Sequence, residues 1–397
     1  MQTGELNKGR SIAIDALRAI VMVLMIFVND LGSLKNIPKG LEHVKADVDG
    51  MGLADVVFPA FLFIVGMAVP YAIQSRQKKS DTTATIFKHI VQRSLVLLVM
   101  GFMFVNSETY VNSGAVISKD VWVLLLVISF FLIWLDYPDP HLPKVKILKA
   151  IGVVMLIVLA CIYHADTGTG ILALRPQWWG ILGKIGWAYF TVSSIYLFSG
   201  QKLWVQIAAL VFFMLFCSAS HLGWLEPVEC IKDYFWVAGS GSVSALSMAG
   251  IILTMWYRKY GIAGNTLWLL ALGFAVALIA FGFVTRPLWG ISKIQATPSW
   301  VAICAGITVW AFMLISYLTD VKNRTAWYNF IKPAGVFTLT CYMLPYIHYS
   351  LVKITDISFL PLFLRTGGVG LIKSLIYALL IVFITGLLAK KHIRLKL

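Results

Sequence analysis

Apolar runs of roughly 17 to 25 residues, the length a helix needs to cross a ~30 Å hydrocarbon core, recur along the whole chain and limit its fold more than any motif does. They fall near 12–31, 53–74, 89–107, 120–135, 147–163, 178–199, 204–222, 241–257, 266–285, 299–318, 333–352 and 367–389. Of 397 residues, 59% are hydrophobic and only 13% charged, so the chain needs lipid around it. Alternation of the β-barrel kind is absent. The expectation is all-α: a polytopic membrane helix bundle of about twelve transmembrane helices, one domain over residues 1–397, without internal repeats. The two shortest runs, 120–135 and 147–163, are separated by Pro138, Pro140 and Pro143, which forbid a continuous helix and predict a hairpin.

Basic residues orient the bundle, because translocation disfavours Lys and Arg beside span ends. One set of alternate connections holds Lys8, Arg10, Arg76, Lys78, Lys79, Arg258, Lys259, Lys390, Lys391, Arg394 and Lys396 among others. The opposite set carries most of the acids, including Glu42, Asp47, Asp49, Glu108, Asp166, Glu226, Glu229 and Asp233. Both termini are therefore expected in the cytoplasm and the 31–52 loop outside. The net charge of +15 then reflects topology and contact with membrane lipid, with no call for nucleic acid. The first span begins like a signal sequence, but it is too long and no small-x-small cleavage site follows, so it should be retained. Five cysteines (Cys161, Cys217, Cys230, Cys304, Cys341) show no CxxC or Cys/His cluster, and neither a disulfide nor a metal site is expected.

A charge at mid-membrane costs about 2.5–3.5 kcal/mol on insertion scales, so each ionisable residue in a span requires a reason. Asp15 and Arg18 lie three apart on one helix face, either as a structural ion pair or as a site for an anionic cytosolic ligand. Asn29 and Asp30 close the same helix, where capping and function are both open. His43 follows in the loop, and Asp55 opens the next span in GLADVVFP. An imidazole held by a carboxylate has a fixed tautomer and a more basic free nitrogen, as needed to take a proton from an attacking amine or hydroxyl.

The order RSIAIDALRAIVMVLMIFVND, His43, GLADVVFPAFLFIVG resembles the transmembrane acetyltransferase family typified by heparan-alpha-glucosaminide N-acetyltransferase and its bacterial members. That family begins with a D-x-x-R-G helix ending in Asn, a loop with the catalytic histidine, and a helix opening A-D-L-V-F-P. The similarity is specific over about the first seventy residues and weaker through Trp178–Tyr189 and Gly335–Tyr349. Arg18 is followed by Ala19 instead of Gly, and the family's Gln-Arg becomes Gly183-Lys184. By position, His43 resembles the catalytic histidine, Asn29 and Asp55 its polar supports, and Arg18 a donor contact. Asp30, Lys184 and His348 are carried as acceptor-side candidates. Lys184 either snorkels to the interface or meets an acceptor carboxylate or developing oxyanion, and His348 supports the site or not.

The resemblance implies an enzyme of the bacterial inner (cytoplasmic) membrane that takes an acetyl group from cytosolic acetyl-CoA. No metal is implied. The acetyl thioester would pass through a tunnel to an amino sugar at the outer face, such as the terminal glucosamine of a heparan-like glycan. His43 would act as base or acyl carrier, and a homodimer is allowed. Two other functions compete. One is an O-acyltransferase of envelope polysaccharide; the other is a proton-coupled transporter, which the missing repeats disfavour. The topology has its own test: a cysteine placed at position 43 should react with an impermeant maleimide from outside intact cells, and labelling only from the cytosolic side would overturn it.

Overall fold

The computed structural model describes residues 11–165, 174–228, 240–357 and 360–396. Lys8, Arg10, Asp166, Glu229, Cys230 and Asp233, named above, lie outside the described residues. The helices are α1 (Ile12–Asp30), α2 (Leu53–Gln77), α3 (Thr83–Glu108), α4 (Lys119–Trp134), α5 (Pro143–Cys161), α6 (Ile181–Phe198) and α7 (Leu203–His221). After them come α8 (Ser242–Tyr260), α9 (Asn265–Trp289), α10 (Pro298–Ser316), α11 (Tyr328–Val336), α12 (Thr338–Thr355) and α13 (Gly367–Lys390). Among the described residues the only β pairing is two isolated bridges, Lys35 with Thr366 and Leu135 with Leu395.

Among the described residues, eight helices are long and apolar enough to cross a membrane: α1, α2, α3, α6, α7, α9, α10 and α13. The other expected windows also fall on helices, but these are shorter or more polar. α4 has 16 residues, α5 opens with Lys144, Lys146 and Lys149, and α8 carries three serines and ends in Arg258-Lys259-Tyr260. The expected span over 333–352 is two helices, because Phe337 leaves helical geometry at φ −114° and ψ 43°. Hairpin formation at the proline cluster is as expected, with Pro143 at the first turn of α5.

Burial separates an inner set from a rim. The most apolar windows of α1 and α2 are 67% buried, whereas those of α7 and α9 are 22% buried and present their remaining faces outward, as lipid-facing helices do. α8 explains its own polarity. Ser244, Ser247 and Thr254 are fully buried, and Ser247 and Thr254 donate to the carbonyls of Leu62 and Met67 at 3.0 and 3.2 Å across the interface with α2. Hydroxyls facing a neighbouring helix cost nothing to lipid and bind where they are.

The α2–α8 contact is a close backbone approach, and two glycines permit it. A Cβ on Gly66 would overlap the carbonyl oxygen of Ser247, and one on Gly250 would overlap that of Phe63. Both obstacles are backbone, so neither can move aside. Gly66→Val and Gly250→Val should each destabilise the protein by about 1–3 kcal/mol or more. Gly273→Ala, with open space around it, should be neutral or slightly stabilising. Thermal unfolding in detergent decides; equal midpoints for all three would refute the interface.

Candidate active site

The site is organised by Asp55, at the third position of α2. Its backbone N–H bonds Gly52 O at 3.0 Å, while its Oδ2 accepts from Gly52 N at 3.0 Å and from Val44 N at 3.0 Å. The carboxylate thereby caps the helix that carries it and captures the loop beside His43. Oδ1 lies 2.7 Å from His43 Nδ1, with the Asp55 side chain 1% exposed and that of His43 49% exposed. An ionised carboxylate only accepts, so Nδ1 carries the proton and Nε2 keeps a lone pair. Gly52 lets the loop close on the helix, since a Cβ there would overlap Glu42 O.

A second device holds Asp55 from below. Pro59 has no N–H to give the Asp55 carbonyl, which would otherwise stay unpaired inside the bundle. Trp300 Nε1 of α10 supplies the missing donor at 3.1 Å, and the buried Cys304 thiol lies 3.9 Å away. The proline that breaks the ladder thus selects an indole from a helix far along the chain.

The 290–297 loop between α9 and α10 adds Lys293, which sequence reasoning did not single out. Its Nζ lies 3.1 Å from His43 Nδ1 and 3.5 Å from Nε2, 3.4 Å from Ala54 O and 3.9 Å from Asp55 Oδ1. Burial pushes the Lys293 pKa below the usual lysine range, with Asp55 opposing. The loop is fastened to the His43 segment by Gly50 N to Ile291 O at 2.9 Å, Gln295 Nε2 to Ala46 O at 3.0 Å, and Asp49 to Arg286 and Ile291 N at 2.8 and 2.7 Å. The Arg286 hydrogen bond and the Ile291 N–H hold the Asp49 carboxyl below its ordinary pKa. That contribution is present at neutral pH and is lost as acid protonates Asp49. The available signal for Lys293 was that it is the single charged residue of the short 290–297 loop.

The other expected residues divide. Lys184 of α6 lies with its ammonium 6.0 Å from the Phe58 ring centre, one turn along α2 from Asp55. Asn29 is exposed at the end of α1 and bonds neither His43 nor Asp55. Asp30 is 4% exposed and belongs to a separate cluster, accepting from Tyr349 at 2.7 Å, Lys373 at 2.6 Å and Ser374 at 2.5 Å. His348 lies beside that cluster, its Nδ1 3.1 Å from the Tyr377 hydroxyl. Arg18 Nη1 bonds Asp15 at 3.0 Å and Gly335 O at 3.2 Å, a carbonyl left open by the break at Phe337. Among the described residues no three His, Cys, Asp or Glu side chains converge as a metal site.

Three cavities follow α3 from its start to its end. The first, about 220 Å³, is lined by Arg76, His89, Arg93 and Lys396 among others. It shares Arg93 and Tyr189 with an apolar cavity of about 130 Å³ bounded by Met22, Met25, Phe61, Val65 and Leu97. That one shares Leu182 and Tyr342 with a third, about 170 Å³, beside Gly101, Glu108 and Trp179. Along α2 the lining steps from Arg76 to Val65 to Phe61, and Asp55 lies under two turns further on.

A bundle of apolar helices with a carboxylate-held histidine in a loop defines the class to which the comparisons then give a family. The chain belongs to the family described as Domain of unknown function (DUF5009), which matches residues 10–231. It is similar to heparan-alpha-glucosaminide N-acetyltransferase of Mus musculus, 25% identical over 147 residues, covering 35% of this chain and 22% of that protein. The Homo sapiens protein of the same name is 31% identical over 94 residues, covering 24% of this chain and 13% of its own length. The matched segments thus span less than a quarter of either relative.

The Trp300 contact yields a stability prediction. Trp300→Phe fills most of the space but leaves the Asp55 carbonyl without a donor, and should cost about 1–3 kcal/mol. Unfolding in detergent checks it, and an unchanged midpoint would show that the carbonyl finds another partner.

Proposed function

We propose that the protein is a transmembrane acetyltransferase that moves an acetyl group from acetyl-CoA to the amino group of a sugar on the opposite side of the membrane. One observation carries the reading: the His43 imidazole is held through Nδ1, 2.7 Å from the buried Asp55 carboxylate, which leaves its other nitrogen for a proton. The cavity at the start of α3 offers Arg93 to nucleotide phosphates, beside Arg76 and Lys396, which are paired with Asp81 and Asp136. Arg18, near the start of α1 on the same side, is a further candidate for the donor. The likeness to N-acetyltransferases over part of the chain supports acetyl as the group and an amine as the acceptor. The basic-residue asymmetry supports a cytosolic donor and an outward His43.

In this reaction the acceptor nitrogen attacks the thioester carbonyl carbon while Nε2 of His43 takes the proton. The carbon–sulfur bond then breaks and CoA leaves as the thiol, with the proton returned by the imidazole. Asp55 fixes the tautomer and stabilises the imidazolium that forms in between. If the imidazole is instead acetylated first, the same nitrogen is the nucleophile and the same carboxylate serves it.

Purified protein, labelled acetyl-CoA and a panel of amino sugars test the proposal. His43→Ala should lower transfer by about 100- to 10,000-fold while acetyl-CoA binding persists. Asp55→Asn should cost less, because the amide keeps the space but no longer stabilises a cation. Transfer by His43→Ala at the wild-type rate would remove the residue from the mechanism.

A further inference from the structure

Lys293 is poorly matched to its surroundings in the resting site. Its ammonium has three donors, yet its contacts are a carbonyl at 3.4 Å, a carboxylate oxygen at 3.9 Å and the face of an imidazole whose Nδ1 is already committed to Asp55. A nitrogen 3.1 and 3.5 Å from the two ring nitrogens lies against the ring rather than in line with either lone pair. The charge is therefore held beside the imidazole with one carboxylate, at 3.9 Å, beyond hydrogen-bonding distance as its compensation. A second lysine, Lys184, lies with its ammonium 6.0 Å from the centre of the Phe58 ring, one turn along α2 from Asp55, and among the described residues that ring is its only side-chain partner. Lys293 thus keeps donors to spare beside His43.

We propose that Lys293 is the oxyanion-binding residue of this site and that Lys184 strengthens its field. The inference rests on the acyl-transfer reading above. When the amine nitrogen bonds to the thioester carbonyl carbon, the carbonyl π pair moves to oxygen. The oxyanion then forms on a carbon adjacent to Nε2, which accepts the amine proton. On collapse the oxygen pair re-forms the carbonyl, the carbon–sulfur bond breaks, and the thiolate takes the proton back from His43. A group 3.5 Å from Nε2 stands within hydrogen-bonding reach of that oxygen. The same oxygen develops if Nε2 itself attacks the thioester. Because Lys293 is weakly paired in the ground state and fully paired only when the oxyanion exists, its energy is expressed in the transition state.

The chemistry gives a readout that a structural lysine would not move. A CoA-linked phosphonate bisubstrate analogue carries a tetrahedral anion at the reacting position, and a CoA-linked ketone analogue of equal length does not. Wild-type protein should bind the phosphonate more tightly than the ketone. Lys293→Met should lose that preference, keep ketone affinity and acetyl-CoA KM, and lower kcat by about 100- to 1,000-fold. Lys293→Arg, which keeps a charge, should recover part of kcat, and Lys184→Met should reduce the preference by a smaller factor. Unfolding midpoints in detergent establish that each variant is folded. Equal loss of both analogues, or a Lys293→Met protein with wild-type kcat, would overturn the assignment while leaving acyl transfer intact. Absence of transfer by the wild-type protein to any amino sugar, with neither analogue bound, would overturn the functional reading and this inference with it.

Discussion

The carboxylate of Asp55 is the interaction on which the rest of the site depends. It caps α2, holds the loop through two backbone amides and fixes His43 through Nδ1. A buried carboxylate is tolerable only when such partners replace water, and here they come from both the helix and the loop. Removing it would therefore loosen the helix start and free the imidazole together. Helix capping and orientation of the imidazole are one set of bonds.

Much of this was legible in the sequence, for a simple reason: His43 and Asp55 are twelve residues apart across one short loop, and an acid in the first turn of an apolar span has few explanations. Apolar length likewise located the helices, because lipid imposes it on each segment separately. What could not be read is what depends on distant parts of the chain meeting. Lys293 reaches His43 across 250 positions, and Trp300 answers a need created by Pro59 that nothing near Pro59 announces. The break at Phe337 was hidden because hydropathy is blind to backbone dihedrals. Asp30 shows the reverse limit. Its position beside Asn29 suggested the reaction centre, but Lys373, Ser374 and Tyr349, from the other end of the chain, occupy its carboxylate.

The bundle meets its polar obligations pairwise between helices. Serine and threonine hydroxyls of α8 answer carbonyls of α2, Arg18 answers the carbonyl opened at Gly335, and Leu395 N finds the Thr340 hydroxyl. Each places a side chain from one helix on a backbone group of another, so helix positions are set to within the tolerance of a hydrogen bond. That precision matters at the reaction centre, where α2, α10 and two loops must agree on the location of one imidazole.

The middle cavity, walled by Met22, Met25, Phe61, Val65 and Leu97, has an electrical consequence. A hydrated path through a membrane protein would short-circuit the transmembrane voltage, since water wires carry protons and ions alike. The section is walled mainly by thioether and hydrocarbon, with Arg93, Tyr189, Thr338 and Tyr342 its polar members, and moving a unit charge across the full voltage involves about 2.3 kcal/mol per 100 mV. An uncharged group does no work against that field. A wall of this composition therefore opposes a small cation, through its guanidinium and its lack of carboxylates, far more than it opposes a neutral molecule.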